Sequence, residues 1–236
     1  MHAAASADNH STSQHQRAAR CENLRFPAVC LAIFLGVWLF LAWSPSDRPT
    51  WLLENLPTFV IVPCLAFSIR RFRFSNRAYL QGLLFLVLHT IGAHYTYSLV
   101  PVGEALRALF GFGRNHYDRI VHFAFGLLAY GPVRELAFHR APNVRRFAQL
   151  ALSFTTIAFF ALGYELVEWW VAVIIAPEAG TRFLATQGDE WDAQQDMAMA
   201  CAGALIAAAF EFRLLRRLAT PLRLSLITDS KFSEEK

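Results

Sequence analysis

Asp118 and His122 stand four residues apart in RNHYDRIVHF (114–123), the opening of a segment that then reads AFGLLAYG. Two further stretches also set acids into apolar sequence. GYELVEWW carries Glu165 and Glu168, three apart, and QGDEWDAQQDM carries Asp189, Asp192 and Asp196 at i, i+3 and i+7. On a helix each of these spacings puts its members on one face. Carboxylates and imidazoles presented by facing helices are how metal sites in bundle cores are assembled. His122, Glu165, Glu168, Asp192 and Asp196 are the candidate ligands, and Asp118, His122, Glu165 and Glu168 the candidate catalytic groups. So hard a donor set suits Mn, Fe, Mg or Zn better than copper. A divalent metal held there can activate water against a phosphoryl or acyl group.

The same residues admit two other readings. Without a metal, a buried carboxyl beside an imidazole can exchange protons, which serves an acid–base enzyme or a proton-coupled carrier equally. Alternatively the residues are structural: Asp118 pairs with Arg119 or Arg182, and Asp118 and Asp192 cap helix N-termini. Capping does not account for His122, Glu165 and Glu168 inside apolar runs. Glu104, Glu178 and Glu190 read as loop charges, and Glu135 beside Arg134 as an interfacial pair. Trp43, Trp51, Trp169, Trp170 and Trp191 read as interface anchors or packing residues. The chain holds no HExxH, no Walker-type loop and no G-x-S-x-G.

These residues need elements to hold them, and composition says which. Of 236 residues, 55% are hydrophobic and 17% charged, with a mean hydropathy of +0.32. Soluble domains carry nearer a quarter charged residues. Six apolar stretches, roughly 26–43, 51–69, 78–97, 118–138, 148–176 and 192–212, approach the ~20 residues that cross a bilayer. The second holds Glu54, Pro57 and Pro63 and is expected to kink. No strand alternation appears, so the spans are helices.

With the N-terminus inside, 17 Lys and Arg fall on the cytoplasmic side and five (Arg48, Arg107, Arg114, Arg119 and Arg182) outside. The net charge of +4 therefore reads as topology, with no nucleic-acid partner. The expectation is an all-α polytopic bundle of about six spans with both termini cytoplasmic. Residues 1–25 form a disordered polar tail, 26–213 the membrane domain and 214–236 a cytoplasmic tail. Loops near 44–50, 98–117 and 177–191 face out. Counting back from residue 176 at ~1.5 Å per residue, Glu165 and Glu168 lie about 12–16 Å below the outer surface. The acids and histidines of four spans, His89 and His94 of the third included, then share the outer half and face one pocket. Cys21, Cys30, Cys64 and Cys201 show neither metal spacing nor a disulfide frame. His2, His10 and His15 belong to the tail, and the first span is retained as an anchor.

LHTIGAHYTYSLVP (88–101), RNHYDRIVHFAFGLLAYGPVRE (114–135), GYELVEWWVA (163–172) and PEAGTRFLATQGDEWDAQQDMAMACAGAL (177–205) together resemble the YjdF family of bacterial inner-membrane proteins. The resemblance spans about residues 50–213. It implies a multi-pass helical protein of the bacterial inner membrane and no particular activity. A shorter likeness joins the D-R-x-x-H-F start, a Glu-bearing span and D-x-x-x-A-x-x-G-A (196–204) to VanZ-like envelope proteins. It matches Asp118, His122, Glu165 and Asp196, and departs at Arg119 for Lys and Ala200 for Asn. The functional expectation is an envelope-related membrane enzyme, with a divalent metal in one version, acting on a lipid-linked or amphiphilic small molecule. A proton-coupled carrier and a non-catalytic scaffold stand beside it.

Overall fold

A computed structural model describes residues 24–175 and 186–233, with side-chain environments for 24–174 and 186–214. Every described element is a helix: α1 (Leu24–Ala42), α2 (Arg48–Glu54), α3 (Leu56–Ser68), α4 (Asn76–His94), α5 (Pro101–Phe110), α6 (Tyr117–Arg140), α7 (Arg146–Ile175) and α8 (Asp192–Ser233). The polar tail with its three histidines, Cys21, Glu178 and Arg182 lie outside the described residues. Described Cys30, Cys64 and Cys201 are free thiols.

α1, α7 and α8 are long and apolar enough to cross a membrane, and α2 with α3, bent by 40°, makes up to four spans. α4 and α6 have the length, at 19 and 24 residues, but carry too many polar groups to pass on hydropathy. The reason is their position. α6 packs against α4, α7 and α8 at once, so its polar side chains meet protein instead of lipid. The outermost faces are apolar, as Phe40, Phe159 and Ile174 illustrate.

The expected kink of the second span falls at Asn55, between α2 and α3. Pro57 has no N–H for the Leu53 carbonyl, and its ring crowds that turn. Asn55 fills the break from its own side chain. Its amide donates to the Trp51 carbonyl at 2.8 Å and accepts from the Trp38 indole N–H at 2.7 Å. Glu54 sits at the same break, 1% exposed. α1 is tied to α4 by His94 Nδ1 on the Leu41 carbonyl (2.7 Å) and by the Ser46 N–H on the His94 carbonyl (2.9 Å).

The loop expected over 98–117 contains α5, a correction to the sequence reading. Pro101 opens it and left-handed Gly111 ends it. Val102, Leu109 and Phe110 are exposed while Gly103 is buried, which gives a short amphipathic helix. Glu104 pairs with Arg107 at 2.8 Å and accepts from Asn115 at 3.1 Å, so it is more than a solvated charge. Glu135 also differs from expectation: it accepts from the Ser75 N–H at 2.8 Å and the Ser75 hydroxyl at 2.5 Å, while Arg134 turns to Glu211 at 3.4 Å.

The closest helix contact is α6 on α8. A Cβ on Gly126 would strike the Ala200 carbonyl, and one on Gly203 the Phe123 carbonyl. Only glycine lets the two backbones touch there, and Ala200 and Ala204, both fully buried, fill the seam. Gly126→Ala and Gly203→Ala should each cost about 1–3 kcal/mol through overpacking. Gly163→Ala, where a Cβ meets nothing within 4 Å, should be neutral or stabilising. Thermal unfolding of the three variants in one detergent measures the difference.

Candidate functional site

The seam fixes the spacing of the polar groups one to two turns above it. Asp118 and His122 lie on the first turns of α6, and Asp192 and Asp196 on the first turns of α8. Glu165 and Glu168 lie near the end of α7. Asp118, His122 and Asp196 each present a ligand atom, and the three atoms lie within 4.8 Å of one another. His122 Nε2 is 3.6 Å from Asp118 Oδ1 and 3.5 Å from Glu165 Oε1. Glu168 is buried behind Glu165, within electrostatic reach of Glu54, Asp118 and Asp196. Asp196 Oδ1 and Glu165 Oε1 are buried with no hydrogen-bond donor among the described residues.

The cations at this end are committed elsewhere. Arg114, 7% exposed, binds Asp192 and reaches Asp189 at 3.4 Å. Arg119 binds Asp189 and lies 3.7 Å from Asp192. Asp192 is thus held in a desolvated ion pair at the edge of the Asp118–His122–Asp196 group, outside the trio but within electrostatic reach of Asp118 and Asp196. Asp189 lies ahead of α8, and so off the helical stripe expected for it, and acts as a latch over both arginines. The Trp191 N–H donated to it, together with the Arg119 guanidinium, holds its carboxyl below the usual range. Arg119 also donates to His116 Nδ1 at 3.1 Å. Burial and then the charges of Arg119 and Arg114 hold that imidazole below its ordinary value.

Asn115 fastens the latch to the bundle. Its side-chain amide lies 3.1 Å from the Ser98 and Val100 carbonyls, and its Oδ1 accepts from the Tyr117 N–H at 3.0 Å. Its backbone exchanges two 2.9 Å hydrogen bonds with the Gln187 side chain. Neither residue stands out in the sequence, because amides in polar loops are common.

A second set of buried groups borders the first. Glu54 Oε2 accepts from the Tyr164 hydroxyl at 2.8 Å, and the Glu54 carbonyl lies 2.9 Å from His89 Nε2. A carbonyl only accepts, so Nε2 of His89 carries a proton. In the neutral ring Nδ1 is then the acceptor for the Tyr97 hydroxyl, 2.5 Å away. Tyr97 takes a positive φ of 53° at the end of α4, which turns its ring back toward His89. A signal for Glu54 was present, an acid between prolines in an apolar run. Tyr97 and Tyr164 carried none.

A family model described as Predicted membrane protein (DUF2238) matches residues 26–217. The chain belongs to that family. Inner membrane protein YjdF of Escherichia coli (strain K12) is 35% identical over 199 residues, 82% of this chain and 93% of that protein. No solved structure matches. Like its DUF2238 relative, this chain is a protein of the inner membrane, and every site residue above lies inside the matched segment. Neither family name nor relative specifies a reaction.

The Asp189 latch has a pH signature. A folded-state pKa below the unfolded value of ~3.9 contributes stability above that pH, and the contribution is lost as pH falls through the folded value. The thermal midpoint of wild type should therefore exceed that of Asp189→Asn by a constant margin from neutral pH down to about pH 4. Below it the margin should close. Melting curves across that range check it.

Proposed function

We propose that the chain is a six-span protein with cytoplasmic termini whose outer half holds a divalent metal on Asp118, His122 and Asp196. It uses that centre on a lipid-linked or amphiphilic envelope substrate. The carrying observation is the combination of three convergent donors with a surplus of acid. Glu54, Asp118, Glu165 and Asp196 all lie within electrostatic reach of Glu168. The two nearby arginines pair with Asp189 and Asp192 and also bear on Asp118, so acids outnumber cations at this end. Carboxyls confined in an apolar bundle need protons or a cation. Two oxygen donors and one imidazole suit Mn, Fe or Zn.

When bound, such an ion supplies a Lewis acid and acidifies a water. Glu165, its Oε1 3.5 Å from His122 Nε2 but outside the donor trio, would stand beside such an ion as the group that holds a proton. Glu168 and the Glu54–Tyr164 pair continue the polar chain behind it. The short likeness to VanZ-like proteins, which falls on Asp118, His122, Glu165 and Asp196, agrees with an envelope role. α5, with exposed Val102, Leu109 and Phe110, fits an interfacial helix lying over the site at the outer headgroups.

The carrier reading asks for charged groups through both halves. At the opposite end Glu211 meets Arg77 at 3.0 Å and Arg134 at 3.4 Å, so that half carries charged groups too. Between the two ends, however, α6 and α8 close on Gly126, Ala200, Gly203 and Ala204. No polar path joins them along this seam.

Purified protein titrated with Mn(II) and followed by electron paramagnetic resonance should show one saturable site. Asp118→Asn, His122→Ala and Asp196→Asn should each weaken it by at least about 100-fold, beyond the 10–100-fold typical of outer-shell partners. Glu165→Gln should shift it less than about ten-fold while failing to rescue a deletion phenotype. Absence of a saturable site in wild type would sink the metal reading. Full rescue by Glu165→Gln, Glu168→Gln and Asp192→Asn would leave a scaffold. For the topology, single cysteines at Ser98 and Ser230 should label from outside and inside respectively.

A further inference from the structure

Below His122 the bundle is hollow. A cavity of about 300 Å³ lies between α3, α4, α6 and α7, about twice the ~150 Å³ of an engineered apolar cavity that holds benzene. Its walls are Ile61, Phe85, Phe125, Val133, Ile157 and Phe160, and its floor includes Ala161, 2% exposed. His89, Tyr97, His122 and Tyr164 line one end, and Thr58, whose buried hydroxyl has no hydrogen-bond partner among the described residues, adds a polar group from α3. Along α6 the cavity extends from Val121 to Val133, twelve residues or ~18 Å at ~1.5 Å per residue. That is about half of a ~30 Å hydrocarbon core, the depth of one leaflet.

The cavity has a side door. α3 makes no substantial packing with α7, and Ile61 on one and Phe160 on the other line the cavity while remaining 38% and 57% exposed. In a membrane that gap faces acyl chains, so neither water nor a polar solute is the natural occupant. A tube walled mostly by apolar side chains and polar at its head fits a molecule of the same polarity.

We infer that this cavity holds the single hydrocarbon chain of an amphiphile drawn sideways from the bilayer between α3 and α7. The head of the amphiphile is set against His122 and Tyr164. This names the substrate class of the proposed metal centre and rests on that reading for its chemistry and for the charge that receives an anionic head, but not for the seat of the hydrocarbon chain. A chain leaving lipid for an apolar cavity gains little hydrophobic free energy, because both surroundings are apolar. Selection therefore comes from the fit of the tube and from the polar contacts at its head. His122 belongs both to the cavity and to the donor trio, so a head group seated on it lies at the reacting centre. The Glu54 break contributes from the other side: its carbonyl fixes His89 and its carboxylate fixes Tyr164, so two of the four head-facing groups are oriented before anything binds.

The test uses the full chain in phospholipid nanodiscs and a long-chain alkyl phosphate carrying a nitroxide near its methyl end. Wild type should show a saturable, immobilised nitroxide component distinct from the mobile bilayer signal. Ala161→Trp, which fills the tube, should reduce that component at least ten-fold while Mn(II) binding is retained. Should Ala161→Trp not fold, Val133→Trp at the far end carries the same expectation. A nitroxide-labelled alkane without the phosphate should bind at least ten-fold more weakly than the phosphate probe. Only a mobile signal in wild type, an unchanged component in the filled variants, or equal binding of the headless alkane would each overturn the inference. His122→Ala, which removes a head contact, should lose Mn(II) binding and weaken the immobilised component as well; an undiminished component in that variant would overturn the placement of the head. An immobilised component in a wild type that binds no metal would support the seat of the chain, and would remove the metal reading alone.

Discussion

An ionised carboxylate in a hydrocarbon setting costs several kcal/mol unless something beside it answers the charge. At the Asp118 end of this bundle that requirement is repeated for seven carboxyls, and the arrangement of the chain follows from it. Asp189 and Asp192 are answered by Arg114 and Arg119. Glu54 is answered by a tyrosine hydroxyl. Asp118, Glu165, Glu168 and Asp196 have one imidazole beside them, and of these Asp118 and Asp196 feel the arginines at longer range. The other end has no such surplus, since Glu211 has two arginines to itself. Chemistry belongs where charge is left unanswered, which is the end the further cavity also opens toward.

The geometry depends on a second constraint of a different kind. Backbone contact at Gly126 and Gly203 sets how closely α6 and α8 approach, and Asp118, His122 and Asp196 lie within two turns of it. Small residues at a helix seam act over short distances only. Here the lever is one to two turns long, so a change of an ångström at the glycines is carried almost undiminished to the donor trio. That is why a stripe with no reactive groups governs the separation of those that have them.

Much of this was legible beforehand, for identifiable reasons. The spacings 118/122, 165/168 and 192/196 obey helical periodicity, so the sharing of a helix face within each pair could be anticipated. What could not be read were contacts made by backbone. The His89 tautomer is set by a carbonyl at a helix break, and Asn115 and Gln187 join through main-chain groups. Tyr97 reaches its partner through a left-handed turn. None of these leaves a residue pattern. α5 was missed because ten residues of amphipathic helix between Pro101 and Gly111 look like a loop when the search is for ~20 apolar residues. The low hydropathy of α4 and α6 has the opposite lesson: helices enclosed by others can carry the polar groups that disqualify them as isolated spans.

Glu54 joins these strands. In the sequence it argues against a span, since an acid between prolines weakens any hydropathy window. In the structure the same three features are one device. Pro57 breaks the helix, and the break frees the Glu54 carbonyl from intrahelical bonding so that it can accept from His89. The carboxylate, carried on the last residue of α2, reaches Tyr164 on α7. A continuous α2–α3 helix would have spent that carbonyl on the helix ladder and left His89 without the partner that fixes its proton. The irregular backbone is tolerated at this depth because it is enclosed in protein. It lies against the head of the apolar cavity, where an orientation fixed in advance has most to act on.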